Sequence, residues 1–105
     1  MTHSVYKYEI PIQDNFTLDM PAGAQVLHVD VQTQKVISEG AHLPVARETP
    51  YLWALVNTDD PVMKAYNFRL VGTGHAVENR NNLEHVGTFL LQGGGLVFHL
   101  FGVCS

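Results

Sequence analysis

Apolar residues recur at spacing two along most of this chain. From Val5 to Ile12, the side chains of Tyr6, Tyr8, Ile10 and Ile12 alternate with Lys7 and Glu9, which predicts a half-exposed strand. Pro11 cannot donate to a ladder, so it belongs to a sheet edge or a strand end. Asp14 and Asn15 supply turn chemistry, after which Phe16, Leu18 and Met20 alternate with Thr17 and Asp19 as a second short strand. Beyond the break at Pro21-Ala22-Gly23-Ala24, residues Gln25 to Gln32 set Leu27, Val29 and Val31 against Val26, His28 and Asp30. That arrangement predicts a third strand with one apolar face.

The pattern weakens between Thr33 and Thr49, where Gly40, His42, Pro44 and charges of both signs intervene. Residues 33–49 therefore read as a long exposed loop, or as a hairpin extension through Val36 and Ile37. Tyr51 to Asn57 (YLWALVN) is almost continuously apolar, which predicts a central strand covered on both faces. Asp59-Asp60-Pro61 reads as a turn. Lys64 to Val71 places Tyr66, Phe68 and Leu70 on one face and Asn67 and Arg69 on the other, as the expected hairpin partner of YLWALVN. Asn79 to His85 holds the only candidate helical turn, with Asn79 as N-cap and Leu83 and Val86 at helical spacing. Thr88 to Leu91 and Leu96 to Phe101 flank Gly93-Gly94-Gly95 as a closing hairpin. About seven short strands with at most one short helical turn predict an all-β chain. It should form a single domain over residues 1–105, an antiparallel β-sandwich or small barrel.

Composition narrows the functional classes. With 105 residues, 46% of them apolar, the chain supports one modest core. The formal net charge of −4 is spread along the sequence, and Lys7, Lys35, Arg47, Lys64, Arg69 and Arg80 form no run. Both observations argue against a double-stranded nucleic acid partner. Cys104 is the sole cysteine, so no internal disulfide forms, and no stretch approaches the roughly 20 apolar residues that span a bilayer. A cytoplasmic location without membrane contact is the expectation. The segments LVFHLF and YLWALV are apolar on both faces, more than a sandwich of this size covers with its own atoms. A homo-oligomer built through one sheet follows, with Val97, His99 and Phe101 as candidate interface residues.

The six histidines raise metal and acid-base chemistry, but no HxH, HExxH or HxxxH pair occurs. Neither a metal site nor a cofactor is expected. Cys104 and the serines lack the context of an activated nucleophile, so no catalytic residue is assigned. One loop stands out as a candidate ligand site: Gly72, Thr73, Gly74 and His75, with Glu78 three residues on. Its glycines open the backbone to a ligand, although no helix follows to complete a phosphate cradle.

Four segments taken in order, IPIQDNFTLDMPAGAQVLHVDVQ, LWALV, FRLVGTGHAVE and GTFLLQGGGLVFHLF, resemble a family of small phage and prophage proteins of unknown function. The resemblance covers most of the chain apart from Lys35 to Thr49. It implies a phage or bacterial source and carries over no catalytic residues. Two functional readings follow. The preferred one is a non-catalytic, oligomeric accessory protein that binds a host protein or a small-molecule ligand, for instance an inhibitor of host defence or a protein that sequesters its signals. The alternative is a small hydrolase or metal-dependent enzyme using His75 and Glu78, with His28 or His99 assisting.

Overall fold

The computed structural model describes residues 2–36, 45–59, 62–78 and 80–104. Seven strands follow in order: β1 (His3–Glu9), β2 (Asn15–Pro21), β3 (Gln25–Val36), β4 (Val45–Asn57), β5 (Met63–Gly72), β6 (Leu83–Leu91) and β7 (Leu96–Val103). They form two antiparallel sheets, a three-stranded one ordered β1-β4-β3 and a four-stranded one ordered β2-β5-β7-β6. Between the sheets lies one core built from Ile10, Phe16, Met20, Val29, Leu52, Ala54, Val56, Phe68, Leu70, Phe89 and Leu100. The rings of Phe16 and Phe68 stack at 5.3 Å across the β2–β5 pair. The architecture is thus the sandwich form of the expected all-β domain.

The pairing corrects three expectations. YLWALVN does lie centrally, between β1 and β3, yet only Leu52, Ala54 and Val56 are buried while Tyr51, Trp53 and Leu55 remain half-exposed. A two-layer sandwich offers each sheet one covering layer, so an apolar run does not guarantee two buried faces. β5 is not the hairpin partner of β4: it pairs with β2 and β7, and the chain changes sheets between Asn57 and Met63. Leu27 does not share the apolar face of Val29. A bulge between Val26 and His28 resets the alternation, leaving Leu27 50% exposed while Val26 packs against the core.

Within residues 33–49, the β3–β4 ladder continues from Thr33 opposite Glu48 to Val36 opposite Val45, so this hairpin arm extends beyond the core. Its length contributes to a radius of gyration of 15.9 Å, against about 13 Å for a compact domain of this size. Residues 37–44 lie outside the described residues, as do Asp60 and Pro61 of the expected turn and Asn79 of the expected N-cap. The helical turn is a single 3₁₀ turn at Arg80–Asn82, and Leu83 to His85 already belong to β6.

The sheets meet along one flank, where β3 lies against β6. A second bulge, between His85 and Gly87, faces this seam. A Cβ at Gly87 would sit 2.8 Å from Val29 Cβ and 2.9 Å from its Cγ2, so only glycine permits this backbone approach. Farther along, the β6–β7 turn is tied to the opposite sheet by the Gln92 amide, which donates to Glu48 Oε1 at 2.7 Å. Gln92 itself holds a left-handed φ of 55°, a conformation that costs a non-glycine residue about 1 kcal/mol or more.

Two predictions test this frame. Gly87→Ala should lower the unfolding free energy by about 1–3 kcal/mol in urea titration, the usual penalty for overpacking. Gly102→Ala is the control: its nearest neighbour, Val86 Cγ2, lies at an ordinary 3.6 Å, and its cost should stay below that of Gly87→Ala. Equal costs would remove the seam's special status. The second concerns Asp59, whose Oδ2 accepts the Thr2 amide at 2.6 Å and pins the start of β1. That backbone bond, reinforced by the Thr2 hydroxyl, holds the Asp59 carboxyl below its ordinary pKa. Its contribution is therefore complete above the ordinary carboxylate range and fades as pH falls through the lower folded value. Asp59→Asn should be less stable than wild type at pH 7, and the gap should close on acidification.

Candidate functional site

The GTGH corner is a turn whose residues divide their roles. β5 ends at Gly72, and the His75 amide donates to Gly72 O at 3.1 Å across a tight turn. Gly74 supplies the positive φ, 87°, at the third turn position, as a type II turn requires. A Cβ on Gly72 would meet the His75 imidazole at 3.2 Å, so the ring folds onto bare backbone. Arg69 donates through Nη1 to the carbonyl of Glu78 and ties the end of the loop back to β5.

The corner does not converge as one ligand loop. His75 and Glu78 border an open groove of about 290 Å³ together with Asp14, Asn15 and Arg69. Thr73 is committed to β7: its amide donates to Val97 O at 3.1 Å, and its hydroxyl lies 2.8 Å from His99 Nε2. From His99 a chain of polar contacts crosses the outer face of the four-stranded sheet. His99 Nδ1 lies 2.9 Å from the Thr88 hydroxyl, and that same hydroxyl lies 3.1 Å from His85 Nε2. The His85 ring meets Phe101 edge-on at 5.5 Å.

Strand register explains why these side chains meet. Thr88 is opposite His99 and His85 is opposite Phe101, so all four point outward. His85 and Thr88 are three residues apart and would lie on opposite faces of a regular strand. The bulge at Val86 adds the residue that brings them onto the same side. Apolar Leu90, opposite Val97, borders the cluster and is 52% exposed. The expected interface trio of Val97, His99 and Phe101 therefore shares one face with Thr73, Thr88 and His85. The sequence does not couple these residues, because the bulge that aligns them leaves no mark in the alternation.

The chemistry of the chain is that of a satisfied polar ladder. A neutral imidazole has one donor and one acceptor nitrogen, and each threonine hydroxyl both donates and accepts. Thr73 and His99 stand at the distance of a nucleophile–base pair, but a hydroxyl, Thr88, occupies the orienting position that a carboxylate fills in hydrolytic triads. Among the described residues no group of three or more His, Cys, Asp or Glu side chains is placed to hold a metal ion. His28 meets Asp30 at 3.5 Å on the other sheet, as an exposed pair.

Two further features frame the site. A cleft of about 470 Å³ is lined in part by Met20, Val26, Tyr66, Phe68, Glu84 and Cys104. The Tyr66 hydroxyl in its wall is occupied structurally, accepting from the amides of Gly23 at 3.0 Å and Ala24 at 3.2 Å and donating to Pro21 O at 3.3 Å. On the three-stranded sheet, the outward residues Tyr51, Trp53 and His28 form a tilted aromatic row, with Lys7 Nζ 4.4 Å from the Tyr51 ring centroid.

These features define a small two-sheet β-sandwich that presents ordered side chains on open sheet faces. No helix among the described residues is long and apolar enough to cross a membrane. The chain belongs to a family described as Domain of unknown function (DUF7352), whose family model matches residues 1–104. No curated protein and no solved structure matches the chain.

Replacing Thr88 by Val tests the ladder. The variant should lose about 0.5–1 kcal/mol of stability, because two solvent-exposed imidazoles exchange a shared partner for water, and Thr88→Ser should recover most of it. In ¹⁵N spectra both the His85 and His99 rings should shift in Thr88→Val, whereas Thr73→Val should move His99 chiefly. Unchanged imidazole signals in Thr88→Val would contradict the geometry.

Proposed function

We propose that this domain is a non-catalytic binding module that engages a partner protein through the outer face of its four-stranded sheet. The observation that carries the reading is the Thr73–His99–Thr88–His85 chain, ordered by its own hydrogen bonds and bordered by Val97, Phe101 and Leu90. Polar groups held in place before contact lose little entropy on binding, and aromatic residues within such a patch supply desolvation energy. An open face suits a macromolecular surface better than a small molecule, which binds in concave sites. The finer reading is a phage-encoded accessory protein acting in the host cytoplasm, where it inhibits or sequesters a component of host defence. It rests on the resemblance of the four sequence segments to phage and prophage proteins.

The test combines capture with substitution. A bacterial protein retained by the wild-type domain should be lost, by tenfold or more in affinity, in Phe101→Ala and His99→Ala, while Trp53→Ala on the other sheet retains it. Cyclic nucleotides should leave the melting temperature unchanged. A nucleotide present at about a hundred times its Kd stabilises by roughly 2.7 kcal/mol, equivalent to about 10 °C or more for a domain of this size. Such a shift, indifferent to Phe101→Ala, would move the binding site away from this face. Hydrolytic turnover abolished by Thr73→Ala would overturn the non-catalytic reading.

A further inference from the structure

The two edges on the flank away from the β3–β6 seam differ in how they meet solvent. At the two ends of β1, the Ile10 amide donates to Pro50 O at 2.9 Å and the Thr58 amide donates to Thr2 O at 3.0 Å. Together with the register of Tyr6 opposite Ala54, these bonds fix the phase of the ladder. Even-numbered residues direct their amides and carbonyls toward β4; His3, Val5, Lys7 and Glu9 direct theirs outward. On β2 the same reasoning from the bond between Leu70 N and Asp14 O turns Asn15, Thr17, Asp19 and Pro21 outward. That edge is blunted, since Pro21 has no N–H and Asp19 sets a carboxylate along it.

β1 is less guarded: it has no proline, and its one outward carboxylate, Glu9, stands at the last residue of the strand. Its one lysine, the residue type that most often guards an edge, is folded back over its own sheet. Lys7 Nζ lies 4.4 Å from the Tyr51 ring centroid and donates to Gln32 Oε1 at 3.0 Å, on the far strand of the sheet. Val5 and Tyr6 are 54% and 46% exposed beside the open edge.

We propose that β1 pairs with β1 of a second copy of this chain, antiparallel and centred on Tyr6, joining two three-stranded sheets into one continuous sheet. Charge selects both the occupant and the register. With Tyr6 facing Tyr6, His3 is opposite Glu9 of the second copy and Val5 is opposite its Lys7, so all seven residues of HSVYKYE are used and no like charges meet. Sliding by two residues sets Lys7 opposite either itself or His3, each of which is repulsive when both groups are charged. The outward-facing residues form the hydrogen-bonded pairs of this ladder, and Tyr6 faces its copy at a non-hydrogen-bonded position. The inference stands apart from the partner-binding face, because β1 lies on the other sheet.

Sedimentation equilibrium on the full chain gives the first test. Wild type should dimerise, Val5→Lys should weaken the dimer and Val5→Glu should tighten it. The two variants should differ in Kd by about tenfold or more, since each cross-strand charge contact occurs twice in the symmetric pair. Because Val5 is half-exposed, both variants should fold, which circular dichroism will show. The second test reads the register. In a Cys104→Ser background, Tyr6→Cys should form an intermolecular disulfide on mild oxidation, because opposed Cα atoms about 4.5 Å apart fit its geometry. Ser4→Cys should not, since the symmetric register places Tyr8 opposite it. A wild type that is monomeric at high micromolar concentration overturns the proposal, as does a dimer indifferent to both Val5 substitutions or crosslinked equally through Ser4→Cys.

Discussion

The close approach of Gly87 to Val29 is the contact on which the rest of this structure depends. The bulge in β6 ends at Gly87, that in β3 ends at His28 beside Val29, and the missing Cβ lets Gly87 approach Val29 where the sheets converge. A bulge increases local twist and bends its strand, so a paired arrangement turns the edge of one sheet toward the other. The core is sealed on that flank. Phe89 and Leu100 are fully buried close by, and removal of a buried phenylalanine side chain costs about 3–5 kcal/mol.

The same bulge arranges the outer surface. Because Val86 occupies the extra position, His85 and Thr88 face outward together and Thr88 bridges two imidazoles. One irregularity thus packs the inner face and builds the polar ladder on the outer one. Among the described residues the opposite flank carries no seam equivalent to β3–β6, and there the edges of β1 and β2 are left to different devices. β2 ends in a proline that withholds one of its outward donors; β1 has no proline and lays its lysine across the sheet.

Much of the fold was legible because alternation is a local signal. Phe16, Leu18 and Met20 on β2, and Tyr66, Phe68 and Leu70 on β5, fall on the faces that their spacing indicates. Leu27, His85 and Thr88 were not legible, since each depends on a bulge, and a bulge is decided by contacts between strands distant in sequence. YLWALVN misled in another way: its apolar run records strand propensity and a surface aromatic row as much as burial. The Gly72 to His75 corner was legible as a turn. That Thr73 leaves it for His99 while His75 rests on Gly72 follows from register with β7, which hydropathy does not encode.

One flank is closed within the chain, and we propose that a second copy completes the other. Amide hydrogen exchange along β1, measured at low and high protein concentration, tests it most directly. Tyr6 and Tyr8, bonded to β4, should be protected at both concentrations. Val5, Lys7 and Glu9 should exchange freely when dilute and gain protection as concentration rises. Protection of those three amides that stays low at every concentration, while protection rises instead on the outer edge of β2, would contradict the account.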